Sequence, residues 1–213
     1  MRGTCVVALL SFFSLTIVAQ TLDARILHTI NKSESSFLTG FSRTVSTSAD
    51  VVPLVLPIGQ LAYGLFAGDK STLNAGLRST VSMALMVGVT QAMKYSIDRQ
   101  RPYDKYPDYI IARSHSDSPS FPSGHTSMAA VTAMSLCLEY PKWYIITPAA
   151  LWALSVGYSR MYLGVHYPSD VAAGLFIGAG SALLTHYGQK WIDGRKKTRA
   201  PQYSGALVSY GIY

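Results

Sequence analysis

Residues 143–190 read WYIITPAALWALSVGYSRMYLGVHYPSDVAAGLFIGAGSALLTHYGQK. Two apolar runs flank a short polar segment, and the charged residues of the whole stretch are Arg160, Asp170 and the terminal Lys190. Runs of this length predict helices at about 143–161 and 169–190. Pro168 suits a first helical turn, where its missing N–H costs nothing. His166 is therefore expected just before the second helix, with Asp170 in its first turn. Asp170 can then accept from one ring nitrogen and leave the other free to act.

Working outward, a further apolar run at about 125–140 stops at Tyr140-Pro141-Lys142. Val51 to Gly68 carries no charge and Leu77 to Met93 only Arg78, with a polar link containing Asp69 and Lys70 between them. The predicted fold is all-α, a membrane-embedded helical bundle with five core helices, or six if an N-terminal segment is retained. Residues 1–19 have the layout of a secretory signal, with Arg2 before an apolar run from Cys5 to Ala19. The competing reading is a first membrane helix, for which this run falls short of the ~20 residues that span hydrocarbon. Residues 20–50 form a polar lead-in: Leu22, Ile26, Leu27 and Ile30 predict a short amphipathic helix, followed by a loop. The bundle domain is expected over 51–192 and a basic, aromatic tail over 193–213, the last residues alternating weakly like a short strand.

Composition supports a bilayer, with 49% of residues apolar and 14% charged, against about 25% charged in soluble domains. The net charge of +7 suits an anionic partner. Between Thr126 and Gln189 the charged residues are only Glu139, Lys142, Arg160 and Asp170, so there is no continuous basic face and nucleic acid is not an expected partner. Cys5 and Cys137 predict no structural disulfide. A soluble bundle is the alternative to membrane spans. Alternating spans, however, put Lys70, Lys142 and the basic tail on one side, in keeping with the positive-inside rule. Gly174 and Gly178 have the spacing of close helix packing in lipid.

Three patterns fall at predicted helix ends: Lys94-x6-Arg101-Pro102, Pro122-Ser123-Gly124-His125 and Ser159-Arg160-x5-His166-x3-Asp170. Alternating helices bring them to one face of the bundle. A phosphoryl group in transfer spreads negative charge over its oxygens and needs donors already aimed at them. Lys94, Arg101 and Arg160 can supply charge, and Ser123 and Gly124 offer N–H groups at a helix N-terminus. His166, oriented by Asp170, is the candidate nucleophile, and His125 the candidate acid for the leaving oxygen. Singly, each residue has an ordinary explanation as a snorkelling cation, a helix start or a local hydrogen bond. Taken as metal ligands, His125, His166 and Asp170 would sit among three repelling cations, so no metal or other cofactor is expected. Ser159, Tyr103, Tyr106 and His115 lie near the site without an assigned role, and His28 and His186 lack a neighbouring constellation.

These three patterns resemble the signatures of the type 2 phosphatidic acid phosphatase family, without gap or substitution. The resemblance implies a helical fold, His166 as nucleophile, Asp170 as its orienting partner and His125 as general acid. Lys94, Arg101, Ser123, Gly124 and Arg160 would hold phosphate. It also implies a phosphorylated lipid substrate of the lipid A, undecaprenyl pyrophosphate or phosphatidylglycerophosphate type. The expected location is a bacterial inner membrane, the site facing the periplasm. The same family architecture binds vanadate in haloperoxidases, which leaves a vanadium-dependent oxidoreductase as the enzymatic alternative. A non-catalytic membrane binder of lipid phosphate is the other.

Overall fold

The computed structural model describes residues 21–199, with side chains through residue 192. The expected signal segment and the strand-like tail lie outside these residues. Helix α1 covers 21–31, followed by α2 (Ser36–Phe66), α3 (Lys70–Ile97), the short α4 (Pro102–Lys105), α5 (Gly124–Glu139), α6 (Trp143–Tyr162) and α7 (Pro168–Arg199). The three C-terminal core helices begin close to where the sequence puts them, and α5 and α6 also end there. The central helix is α5, which packs on α2, α3, α6 and α7.

The lead-in is the main departure. Residues 36–50, expected as loop, are the opening turns of a 31-residue α2, started by Ser35, whose hydroxyl accepts from the Leu38 N–H. Helix α3 is likewise capped, Asp69 accepting from the Ser71 N–H at 2.9 Å, and Gly68 turns the chain between them at φ 68°. On α1 the buried side is Asp23, Ala24, Leu27 and Asn31, while Leu22 and Ile26 are exposed. The polar residues are buried because they have partners: Asn31 binds the Ile111 N–H and the carbonyls of Ile111 and Tyr162. At the other end, α7 runs through the expected tail boundary at 193 to Arg199.

The bundle is packed with small residues inside and large ones outside. Its interior holds Ala49, Ala75, Ala129, Ala133, Ala153 and Ala182 with serines such as Ser79, Ser82 and Ser127. Leu54, Val55, Ile58, Leu65, Leu77, Leu151, Phe176 and Leu184 face outward. Water would penalise that arrangement; lipid permits it, because helix association there depends on close backbone approach. Ser36–Phe66 and Pro168–Ile192 are long and apolar enough to cross a bilayer, and the protein is a membrane protein.

Gly178 makes the closest helix–helix approach, and Gly174, one turn earlier, also lies against α5. A Cβ on Gly178 would stand 2.3 Å from the Ser127 carbonyl oxygen and 2.7 Å from the Val131 nitrogen, both backbone atoms of α5. A Cβ on Gly180 would meet nothing within 4 Å. Gly178→Ala is therefore expected to destabilise the protein by about 1–3 kcal/mol through overpacking, while Gly180→Ala is neutral or stabilising by up to about 1 kcal/mol. Thermal unfolding in detergent compares the two, and equal melting temperatures would refute the packing assignment.

Candidate active site

The site forms where the C-terminus of α3, the N-terminus of α5, the α6–α7 turn and the start of α7 meet. The α6–α7 turn can be this tight because of Gly164, which sits at φ 78° with a would-be Cβ 2.4 Å from the Ile111 carbonyl oxygen. His166 follows in that turn, 2% exposed, and Asp170 lies in the first turn of α7 with no exposure.

Asp170 is held on all sides. Its Oδ2 accepts from the Ser120 hydroxyl at 2.6 Å and the Tyr167 N–H at 2.9 Å, and lies 3.5 Å from His166 Nδ1. Its Oδ1 accepts from Arg99. Ser120 Oγ is 3.4 Å from the same Nδ1. Because Ser120 gives its proton to Asp170, both groups facing Nδ1 are acceptors, which puts the imidazole proton on Nδ1. Nε2 keeps its lone pair and faces Arg101 Nη1 at 3.4 Å. Burial pushes the His166 pKa down to about 3, against the opposing pull of Asp170, so the ring is neutral near pH 7.

The cations fall into two kinds. Arg99 is neutralised: it bridges Asp170 and Asp23, donates to Ser169 at 2.7 Å and lies 3.9 Å from the centre of the Tyr167 ring. Burial alone would lower its pKa, but Asp170 and Asp23 outweigh that and raise it. Lys94, Arg101 and Arg160 meet neutral acceptors instead. Lys94 donates to the Pro119 carbonyl, and its stem passes 4.0 Å from the Cβ position of Gly124. Arg101 donates to the carbonyls of Ser118 at 2.8 Å and Val165 at 2.9 Å. Arg160 donates to Ser46 Oγ at 2.6 Å, and its buried Nε has no partner. Among the described residues, these three positive charges thus converge without a carboxylate in ion-pair contact with any of them.

Ser123 and Gly124 open α5 as the spacing predicts. The Ser123 N–H is taken by the Asp170 carbonyl at 3.1 Å and its hydroxyl lies 2.9 Å from Thr126 Oγ1. The N–H groups without an intrahelical acceptor that remain in the first turn are those of Gly124, His125 and Thr126. His125 Nε2 lies 3.1 Å from Asp50 Oδ1. His125 and Arg160 line a cavity of about 380 Å³ with Ser46 and Asp50 of α2, and His115 stands in the same wall. Tyr103 reaches the site loop, donating to the Ser116 carbonyl at 3.1 Å, whereas Ser159 bonds back into its own helix. His186 pairs with Glu139, which also binds Arg78, at the opposite end of the bundle, and His28 stacks on Tyr109.

Asp23, Asp50, Arg99 and Ser120 complete the site and were not singled out by sequence reading. Arg99 sits inside the x6 of its motif, and Ser120 belongs to a repeated Pro-Ser, Pro119-Ser120 and Pro122-Ser123, that gave a signal. Asp23 and Asp50 lie in the lead-in and became visible only once it folded as helix.

An all-helical membrane bundle thus brings a buried His–Asp pair together with three cations at one end. The PAP2 superfamily model matches residues 75–193, and the chain belongs to that superfamily. Among relatives, an undecaprenyl-diphosphatase of Sulfolobus acidocaldarius is 33% identical over 54% of this chain and 56% of its own length. A lipid A 1-phosphatase of Rhizobium johnstonii is 33% identical over 60% of this chain and 55% of its own. The chain thus spans little more than half the length of these relatives. Of solved structures, a transmembrane PAP2-type phosphatidylglycerolphosphate phosphatase from Bacillus subtilis superposes with a TM-score of 0.67 at 25% identity, over 82% of this chain and 88% of that one. LpxE of Aquifex aeolicus shares the fold, with a TM-score of 0.66 at 24% identity over 76% and 92%.

The depressed His166 pKa has a consequence for stability. Between about pH 3 and the unfolded value of about 6.5, the unfolded chain binds a proton that the folded one refuses, so stability rises with pH across that window. The contribution is complete above about pH 6.5 and is lost on acidification toward pH 3. It amounts to a few kcal/mol, at about 1.4 kcal/mol per pKa unit. His166→Gln is expected to flatten the fall in melting temperature between pH 7.5 and pH 4.5. An unchanged slope would show that His166 is not buried neutral.

Proposed function

We propose that this protein hydrolyses a lipid phosphate or pyrophosphate through a covalent phosphohistidine on His166, without a metal. The observation that carries this reading is the pairing of a neutral, oriented Nε2 with the unneutralised Lys94, Arg101 and Arg160. Nε2 attacks phosphorus, and the N–P bond forms as the bond to the leaving oxygen breaks. The three cations and the first N–H groups of α5 stabilise charge on the non-bridging oxygens. Asp170 stabilises the positive imidazole that results, and His125 donates to the leaving oxygen and then serves as base for the water that releases phosphate. Lipid A, undecaprenyl pyrophosphate and phosphatidylglycerophosphate are the substrate types considered, consistent with the names of the relatives.

The site end of the bundle is assigned to the outer, periplasmic face of a bacterial inner membrane. Supporting this, Lys70 and Lys142 lie at the far end, where α3 and α6 begin.

His166→Ala is expected to lower kcat by about 10³-fold or more while phosphate still binds, since the cradle is built from other residues. A labelled phosphoryl donor should leave an acid-labile, base-stable adduct on the wild type only. Turnover in the variant would overturn the mechanism, and loss of wild-type activity in chelator, restored by Mg²⁺, would overturn its metal independence.

Arg99 acts one step further back. Arg99→Ala is expected to cost about 10–100-fold in kcat, the range found when a partner orienting a functional histidine is removed. KM should change little, and Arg99→Lys should recover part of the loss. A rise in KM alone would place Arg99 in substrate binding instead.

A further inference from the structure

Helix α2 reaches the site along one stripe. Arg43, Ser46, Thr47 and Asp50 follow the i, i+3, i+4, i+7 spacing of a single helix face, and all four line the cavity shared with His125 and Arg160. The inner members are already engaged, Ser46 by Arg160 at 2.6 Å and Asp50 by His125 at 3.1 Å. Arg43 stands one turn farther out, about 5 Å along the axis, exposed and in no ion pair among the described residues.

The facing wall holds a second cation. Arg113 donates to the carbonyls of Asn31 at 2.7 Å, Ser33 at 2.9 Å and Tyr162 at 3.0 Å, and lies 4.5 Å from the centre of the Tyr162 ring. Every one of these partners is neutral, so its charge is fixed in place but not cancelled. Arg43 and Arg113 together also line the adjoining outer cavity of about 540 Å³, where Glu34 is the acidic member. Two arginines therefore flank the passage that leads away from His125, the side by which a leaving group protonated there must depart.

We propose that Arg43 and Arg113 form a second anion subsite for a phosphate bonded directly to the reacting one, making a lipid diphosphate the preferred substrate over the corresponding monophosphate. The inference rests on the phosphatase reading above and extends it. Nε2 of His166 bonds to the terminal phosphorus, the bond from that phosphorus to the bridging oxygen breaks, and its electron pair stays on the bridging oxygen, which takes the proton from His125. The departing lipid monophosphate keeps its negative charge between the two arginines, which favour it as it forms. Water then cleaves the N–P bond, releasing inorganic phosphate. A lipid monophosphate leaves as an alcohol and places no anion there.

The test uses the full chain in detergent micelles, with a prenyl diphosphate and the prenyl monophosphate of the same tail. The wild type is expected to favour the diphosphate in kcat/KM. Arg43→Ala should reduce the diphosphate-to-monophosphate ratio about tenfold, Arg43→Glu further, and Arg43→Lys less, since a lysine keeps charge but not the bidentate geometry. As a second measurement, methylenediphosphonate should inhibit the wild type more strongly than inorganic phosphate, and Arg43→Ala should erase that advantage. An unchanged ratio, or a wild type that favours the monophosphate, overturns the subsite. So does an Arg43→Ala effect equal for both substrates that appears only in vesicles containing anionic lipid, which would make Arg43 a contact to bilayer headgroups. Failure of the wild type on both substrates, with no labelled His166, would instead defeat the phosphatase reading itself.

Discussion

A carboxylate shut away from water must be satisfied by hydrogen bonds or it will not stay ionised, and the site is organised around meeting that demand at Asp170. Ser120 comes from the long loop, Arg99 from the turn after α3, the Tyr167 N–H from the start of α7, and His166 from the α6–α7 turn. The Asp170 carbonyl also receives the Ser123 N–H, which fixes the start of α5 against α7. Helix α1 joins the same network, because Asp23 holds both Arg99 and Ser169. Segments far apart in the chain are thus positioned by one buried charge, and the orientation of His166 is a by-product of keeping that charge solvated by protein.

The second constraint is the bilayer. A hydrocarbon exterior removes the reason to bury large side chains, so the helices approach through Ala, Ser and Gly and send Leu, Val and Phe outward. Close approach is what lets α5 and α7 lie backbone against backbone at Gly174 and Gly178. The two helices that carry the anion-facing donors and the His–Asp pair are therefore the ones held at the shortest range.

How far the sequence could be read follows from the same physics. The cationic and histidine motifs were legible because they sit at helix ends, where composition changes abruptly. The core helices from α5 onward were legible because they are uncharged for most of their length. The opening of α2 was not, since residues 36–50 are rich in Ser and Thr and resemble a loop. Ser42 and Ser46 are buried there, Ser42 as a small packing residue and Ser46 as the acceptor of Arg160, while the exposed Asp50 pairs with His125. Helix α1 forms as its periodicity predicts and buries Leu27, but Leu22 and Ile26 point outward, and the polar Asp23 and Asn31 share the buried face. Hydropathy periodicity reports where water would be, and neither helix is arranged about water.

One feature of α2 bears on how the site coexists with a fluid membrane. Its 31 residues make a rod of about 46 Å, well beyond the ~30 Å of hydrocarbon. Pro53 and Pro57 interrupt the hydrogen-bond ladder directly below Asp50, withdrawing the N–H groups that the carbonyls of Ala49 and Pro53 would otherwise receive. The turns above carry Ser46 and Asp50, which bind Arg160 and His125; the turns below pack closely on α3, Gly64 against Leu73 and Leu61 against Gly76. Prolines are where a long helix can bend at least cost, so a bilayer thinner than the rod would tilt or kink α2 below the residues that hold His125 and Arg160 rather than through them.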